Sequence, residues 1–572
     1  MVDPAANNSV QASTTAGAAK GEKFVRHANL MSKLTFLSRI SGLLRDKACG
    51  YFLGVGTTWS AFWIGFQFPN LFRRVFGEGA LTAVFLPVYT RVREESGQQA
   101  ATSLARSVLT LLAVLLTVIV ALGEVVVIPI ALSHGVLANN RLAAAMVAIM
   151  LPYCVYVCLV ALLGAMAAAH ERFAAQAIMP MVVNGAMILA AVIPVALWTR
   201  HYPLDRRIVW LAVAVLAAGL IQFFLMMMAV RRAGLHFTGG WRLFDPAFAG
   251  MVRPAVGLIA RRMFPMILGL SAVQFNTFLD SQIAWWFSPD GHGGHTHFLL
   301  FGMLIHVPML AGALGKLSVA QRIYLLPVGI FGVATATAVF PQLSRAAIRQ
   351  DMNEVKRLMR TAITKSLFLS LPATVGMIVI AHMLISAIYL GGRVNGADVA
   401  RAVWAARWFC VGIWAFELQM ILVRVFYAMD DAITPMKISA AMVLLNITLN
   451  LSLIWLMREG GIAASTSISA AVQCLVLLLL LRRRLGLLGL KTLTPHVLQT
   501  LGITAAMAAS AIIVNVLLCR ITLLGPVYSL PAVAVRLALV LLVAVLVFTL
   551  SARMLKMEEL RQAPLIGRFA RW

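Results

Sequence analysis

Charge is what this chain lacks most. Only 12% of its 572 residues are Asp, Glu, Lys or Arg, and only 21 residues are acidic. A water-soluble domain carries about 25% charged residues, so little of this sequence can be assembled into one. Cysteine is scarce too. Cys49, Cys154, Cys158, Cys410, Cys474 and Cys519 form no CxxC pair and no zinc spacing, which excludes a disulfide scaffold. Cys154 and Cys158 stand one helical turn apart in an apolar run, where small thiols pack as hydrophobes. There is no P-loop, nucleophile elbow or HExxH, and no set of paired acids or metal ligands at a membrane face. Hydrolase, glycosyltransferase and phosphatase chemistry therefore have no residues to carry them, and the chain is not expected to be an enzyme. Residues 1–30 lack the apolar core of a signal peptide and read as a disordered cytoplasmic tail.

What is present is apolar. Hydrophobic residues make up 61% of the chain, and the mean hydropathy is +0.88. A membrane-spanning helix needs roughly 20 apolar residues. Runs of that size fall at 31–54, 59–89, 103–133, 141–169, 173–198, 207–231, 255–287, 318–344, 366–391, 399–428, 432–457, 461–481, 494–519 and 527–552. An all-α polytopic membrane protein of fourteen helices is predicted. Lys and Arg crowd one alternate set of connections (91–106, 172, 231–262, 345–365, 437, 482–491, 553–571) and are sparse in the other. Positive loops stay inside, so both termini are expected in the cytoplasm. The net charge of +27 then reads as orientation signal and contact with anionic lipid, and no nucleic-acid partner is needed.

The sequence also repeats. Thr82-Ala-Val-Phe85 followed by Pro87 recurs as Thr337-Ala-Val-Phe340 followed by Pro341, and Pro180 has a counterpart in Pro435, at one common offset. Two six-helix lobes related as parallel repeats would give this pattern, with the substrate site between them. The expected division is a tail at 1–30, an N-lobe at 31–231, a C-lobe at 232–481, and two added helices with a cytoplasmic end at 482–572. Residues 288–317 interrupt the C-lobe with a Gly- and His-rich outer loop containing His292, His295 and His297. The Pro/Gly-broken apolar stretch after it, Phe298–Gly315, reads as a re-entrant or interfacial piece.

Several charges lie where lipid would punish them. Arg39, Arg45, Asp46 and Lys47 fall in the first apolar run, Arg73, Arg74 and Glu78 in the second, and Arg322 in the eighth. Each Arg at mid-membrane costs about 2.5–3.5 kcal/mol on insertion scales. Asp46 and Glu78 can pair with two of the five arginines, and the excess points to a cationic cavity for an anionic group, because guanidinium grips phosphate oxygens bidentately. Glu124 and Glu417 read as structural, and Arg424 and Arg407 are the partners within reach of Glu417. Asp280 follows Gln274 and Asn276 in a polar strip that can bind a cation or hydrogen-bond a neighbouring helix.

The run Ser38-Arg39-Ile-Ser-Gly-Leu-Leu-Arg45-Asp46, followed by Phe68-Pro69-Asn70-Leu-Phe-Arg73-Arg74-Val-Phe-Gly-Glu78-Gly79-Ala80, resembles the MurJ (MviN) family of lipid II flippases. This family belongs to the multidrug/oligosaccharidyl-lipid/polysaccharide exporter superfamily. Gln321-Arg322 with Pro327, Phe340-Pro341-Gln-Leu-Ser344, and Phe426-Tyr427-Ala-Met-Asp-Asp431 with Thr434-Pro435 extend the resemblance. It implies fourteen helices in two lobes around a cavity, with Arg39, Arg45, Arg73 and Arg322, joined by Arg74, on the pyrophosphate of lipid II. Helices 13 and 14 would hold the polyprenyl tail. Two departures stand out. The family's acid at the start of helix 2 is Ser60 here, and the 288–317 segment is longer than the family's turn. Some members bind Na⁺ in the second lobe, which makes Asp280, Asn446, Asn450 and Thr466 candidates for a coupling-ion site. No other metal or cofactor is expected.

The predicted function is transport of lipid-linked peptidoglycan precursor to the outer leaflet by alternating access, by a chain functional as a monomer. The alternatives are an exporter of another polyprenyl-pyrophosphate glycan and a non-transporting scaffold for wall synthesis. A cation-exporting drug transporter would need an acidic, aromatic cavity, which the arginines oppose.

Overall fold

The computed structural model describes residue 34 and residues 36–170, 172–235, 246–300, 303–520 and 530–562, without the side chains of 77–83, 173, 246, 262, 264–273, 300, 490, 530, 561 and 562. The proposed tail at 1–30 lies outside the described residues. Apart from one short hairpin, the regular structure described is helical. Eleven helices among the described residues are long and apolar enough to cross a membrane, from Val84–Leu132 to Pro531–Met554. Outward faces are apolar: Leu122, Val125 and Val126 are 65%, 72% and 62% exposed. In water such faces would aggregate, whereas in hydrocarbon they match the solvent. The chain is an all-helical polytopic membrane protein.

The helices divide between two compact units. The first contains residues 1–49, 68–129 and 145–267. Its interior is built on small residues that let helices approach. A Cβ on Gly219 would meet the Tyr153 ring at 2.2 Å. The Tyr153 hydroxyl donates to Gln222 Oε1 at 3.3 Å, and Gln222 Nε2 donates to the Met179 carbonyl at 2.7 Å. Buried polar groups thus pair across helices, as a dry interior demands. Arg207, 6% exposed, caps the Val195 carbonyl at 3.0 Å through Nε. The helix Leu81–Leu132 is broken at Gly97, whose φ of 84° leaves the helical region.

The second unit contains residues 50–67, 130–144 and 268–572. Its main apolar cluster joins Met359, Ile363, Leu418, Leu422, Phe426 and Leu477, each under 5% exposed. The helices Ile433–Met457 and Glu459–Leu485 are separated only by Arg458, at φ 53°. Gly461 permits this turn, because a Cβ there would meet the Leu453 backbone at 2.6 Å.

Three features were not visible in the sequence. The stretch Phe298–Gly315 opens on strand structure. Strands His297–Leu300 and Met303–His306 pair antiparallel, with Phe298 opposite Ile305, before the helix Ala313–Pro327 begins. Glu417 forms no ion pair with Arg424 or Arg407. It is fully buried, and neither carboxylate oxygen has a hydrogen-bond partner among the described residues. Its Cγ packs instead where a Cβ on Gly332 would fall, at 2.9 Å. Finally, helices around two of the charged runs contain π-helical stretches, Arg73–Ala80 and Val328–Gly332, and hydropathy alone does not show these.

Candidate substrate and cation sites

The arginines named from the sequence fall into distinct settings. In the helix 36–53, Arg45 is 9% exposed and Asp46 4%. Arg45 Nη2 lies 2.7 Å from Asp46 Oδ1, and Nη1 donates to Asn184 Oδ1 at 2.8 Å. Asn184 Nδ2 in turn donates to Ser41 Oγ at 2.9 Å and to the Ser38 carbonyl at 3.4 Å. This network ties the first helix to Phe173–Ala190. The guanidinium is held in a fixed plane by two neighbours, the arrangement that makes an Arg fork directional. Asn184 was missed in the sequence. An amide deep in the apolar run 173–198 was the available signal.

Arg39, two turns earlier, is exposed. Arg73 donates from Nη2 to Asn70 Oδ1 at 3.1 Å. Arg73 and Arg74 are half-buried and open the π-helical stretch, where one wider turn re-aims side chains. The Glu78 side chain lies outside the described residues. These positions belong to the first unit, and Arg322 belongs to the second, where its guanidinium carbon sits 5.5 Å from the Trp63 ring centroid. That distance suits a cation–π contact. Trp63 extends the stack formed by Trp59, Phe62 and Phe66 on the same helix.

The polar strip of the second unit is gathered as well. Asp280, 3% exposed, accepts from Asn450 Nδ2 at 2.6 Å and from the Thr466 hydroxyl at 3.3 Å. With its amide turned, Asn446 donates to Asp280 Oδ1 at 2.8 Å. Three helices therefore converge on one buried carboxylate. Asn450 Oδ1 is buried without a partner among the described residues. An orphaned amide oxygen beside a carboxylate and a hydroxyl is a hard, all-oxygen donor set that fits a hard cation. A cavity of about 510 Å³ reaches this cluster at Asn276 and Thr466, and its wall includes Arg424, Gln419 and Gln473.

Outside the membrane spans, two carboxylates behave oppositely. Burial raises Asp290 above the ordinary carboxylate range, against the pull of its donors Thr57 and Gly312. Burial also opposes ionisation of Asp431, but the Thr434 hydroxyl and N–H and the Arg484 guanidinium outweigh it and hold that carboxyl low. Among the described residues no group of three or more His, Cys, Asp and Glu side chains is placed to hold a metal. His292 bonds the Trp286 carbonyl instead, at 2.8 Å.

Known proteins resemble this chain over most of its length. The pattern of the family described as "Lipid II flippase MurJ" matches residues 49–533. A probable lipid II flippase MurJ of Rickettsia prowazekii is 30% identical over 450 residues, covering 78% of this chain and 81% of that protein. The lipid II flippase MurJ of Burkholderia cenocepacia is 26% identical over 459 residues, covering 79% and 83%. Among solved structures, a lipid II flippase MurJ in an inward closed conformation superposes with a TM-score of 0.68 at 20% identity, over 92% of this chain and 99% of that one. An inward-facing multidrug resistance transporter of the MATE family gives 0.59 at 14% identity, over 81% and 98%. The fold is thus the one shared by MurJ and MATE transporters, and the chain belongs to the lipid II flippase MurJ family, whose members are transporters rather than enzymes.

Proposed function

We propose that this chain carries lipid II from the inner to the outer leaflet of the cytoplasmic membrane, by alternating access through a cavity lined by arginines. The observation that carries the reading is the family match across residues 49–533. Fourteen spans in two six-helix lobes plus a final pair are supported by three further helices beside the eleven apolar ones: 36–53, Thr57–Phe72 with its π-helical extension, and Ala249–Trp286. The repeat reading (31–231 and 232–481) is supported by the π-helical stretches. They begin at Arg73 and Val328, at the offset that also separates Thr82 from Thr337. Cytoplasmic termini follow from the loop charges.

In this mechanism Arg39, Arg45, Arg73, Arg74 and Arg322 bind the pyrophosphate. Asp46 and Asn184 hold the Arg45 fork in plane, and Asn70 restrains Arg73. The final helices Thr494–Arg520 and Leu530–Met554 offer the polyprenyl tail a lipid-facing path, so that only the head group crosses. Release requires weaker phosphate contacts in the outward state, because a site equally tight in both states shifts nothing. Asp280, Asn446, Asn450 and Thr466 are assigned to a monovalent coupling cation, held by oxygen ligands.

The test is growth of a bacterium depleted of its own lipid II flippase, carrying either wild type or Arg73→Ala at matched membrane levels. Wild type is expected to sustain growth and the variant to fail. Rescue by both removes Arg73 from the mechanism and favours a scaffold. Failure of inserted wild type, with no binding of purified protein to lipid II, overturns the substrate in favour of another polyprenyl-pyrophosphate glycan.

A further inference from the structure

The 288–317 insertion is the one segment the flippase reading leaves without a task, and it delivers a buried acid to the start of the second helix. Asp290 is 1% exposed. Its carboxylate accepts from the Thr57 hydroxyl at 2.6 Å and from the Gly312 N–H at 3.0 and 3.1 Å, and the Ser60 hydroxyl stands beside it. Ser60 Oγ in turn accepts from the Gly315 N–H at 3.1 Å, and Trp59 Nε1 donates to Ser318 Oγ at 3.2 Å. The backbones meet closely here. A Cβ on Gly312 would lie 2.9 Å from Gly56 Cα, and one on Gly315 would lie 2.4 Å from the Val55 carbonyl oxygen.

Asp290 is held from behind. Gly291 admits no Cβ without meeting the Trp285 carbonyl at 2.8 Å, and its own carbonyl accepts from Asn140 Nδ2 at 2.9 Å. On the far side Arg401 donates to the Leu310 and Ala311 carbonyls at 3.1 and 2.9 Å and pairs with Glu459. Lys316, 2% exposed, pairs with Asp398 at 2.9 Å and adds a positive charge near Asp290. A carboxylate on so fixed a platform acts as a specific clasp, since hydrogen bonds to an ionised acceptor are stronger and more directional than neutral ones.

Ser60 and Gly315 are separated by 255 residues, the same offset as the repeated motifs. The clasp therefore joins equivalent positions of the two repeats, where closure and opening of one end of the transporter must be felt.

We propose that Asp290 is a positioning residue which latches residues 57–60 against the 312–318 segment. In the wild type the latch closes the outer end of the transport path. The side of the membrane rests on the proposed orientation, and the contact itself does not.

The test replaces the six native cysteines, places a reporter at Ser318→Cys, and measures its labelling by a membrane-impermeant maleimide in intact spheroplasts and in inverted vesicles. The reporter protein with Asp290 intact is expected to label slowly. Asp290→Asn should label at least fivefold faster, from the outer side. Adding Ser60→Asp to that variant should return the rate towards wild type, a rescue that general loosening of the fold would not give. If Asp290→Asn fails to reach the membrane, Thr57→Val removes the donor and leaves the carboxylate, with the same acceleration expected. Wild-type rates in these variants, or no effect of Ser60→Asp on Asp290→Asn, overturn the latch. Because labelling needs no lipid II, a failed growth rescue by wild type leaves this result standing, and the two readings fall separately.

Discussion

At the scale of single residues, the arginines differ in what holds them, and this separates stability from transport. Arg45 neutralises buried Asp46 and bonds Asn184. Removing one partner of a buried pair leaves an uncompensated charge and costs about 3–5 kcal/mol. Arg45→Ala is therefore expected to lower the Tm of detergent-purified protein markedly. Exposed Arg39 should tolerate Ala within about 0.5 kcal/mol while still losing growth rescue. Equal Tm for the two variants would remove the structural role of Arg45. Asp431 gives a pH signature. Its folded carboxyl sits below the ordinary value because Thr434 and Arg484, at 2.5 Å, outweigh burial. Its contribution is present above the ordinary carboxylate pKa, about 3.9, and is lost as pH falls through the lower folded value. The Tm advantage of wild type over Asp431→Asn should hold at pH 6 and shrink below about pH 4, and an advantage that grows on acidification would reverse the assignment. The charged positions themselves were plain in the sequence, since ionisable groups in apolar runs announce themselves. Their partners were not. Asn184 meets Arg45 from 139 residues away, and no local pattern carries such a pairing.

At the scale of elements, hydropathy located the eleven apolar spans among the described residues, because spanning segments must be long and apolar, a demand stronger than any side-chain preference. It could not locate features set by backbone contact. The Val328–Gly332 π-turn and the hairpin His297–Leu300/Met303–His306 depend on neighbours and on a few turn residues. Glycines show the same point from the other side. Gly315 packs its bare Cα against the Val55 carbonyl, whereas a Cβ on Gly502 meets nothing within 4 Å. Both stand in helices, so sequence ranks them alike. Gly315→Ala should be overpacked by about 1–3 kcal/mol and should speed labelling of the Ser318→Cys reporter, because the intruding methyl faces backbone that cannot rotate away. Gly502→Ala is expected to leave Tm unchanged or slightly raised, as helix propensity favours Ala by about 1 kcal/mol. Equal behaviour of the two variants would mean that the close approach at Val55 does not exist in the membrane.

At the scale of the whole molecule the proposed function raises the question of what drives an anionic head group outward. A cationic path responds to membrane potential, each charge moved being worth about 2.3 kcal/mol per 100 mV. A bound cation would add a second drive, and the Asp280 cluster is where it would act. The carboxylate already receives Asn450 and Thr466, so the cluster is stable as a hydrogen-bond knot, yet the orphaned Asn450 oxygen leaves a ligand unspent. A cation that binds only the folded state raises stability by an amount set by its concentration over Kd, about 2.7 kcal/mol at a hundredfold excess. Purified wild type should therefore melt higher in NaCl than in choline chloride at equal ionic strength. Asp280→Asn, which keeps the shape and removes the charge, should melt at the same temperature in both. A Na⁺ effect that persists in Asp280→Asn would place the ion elsewhere. No Na⁺ effect in wild type would make the cluster purely structural and assign the drive to the potential acting on the arginines.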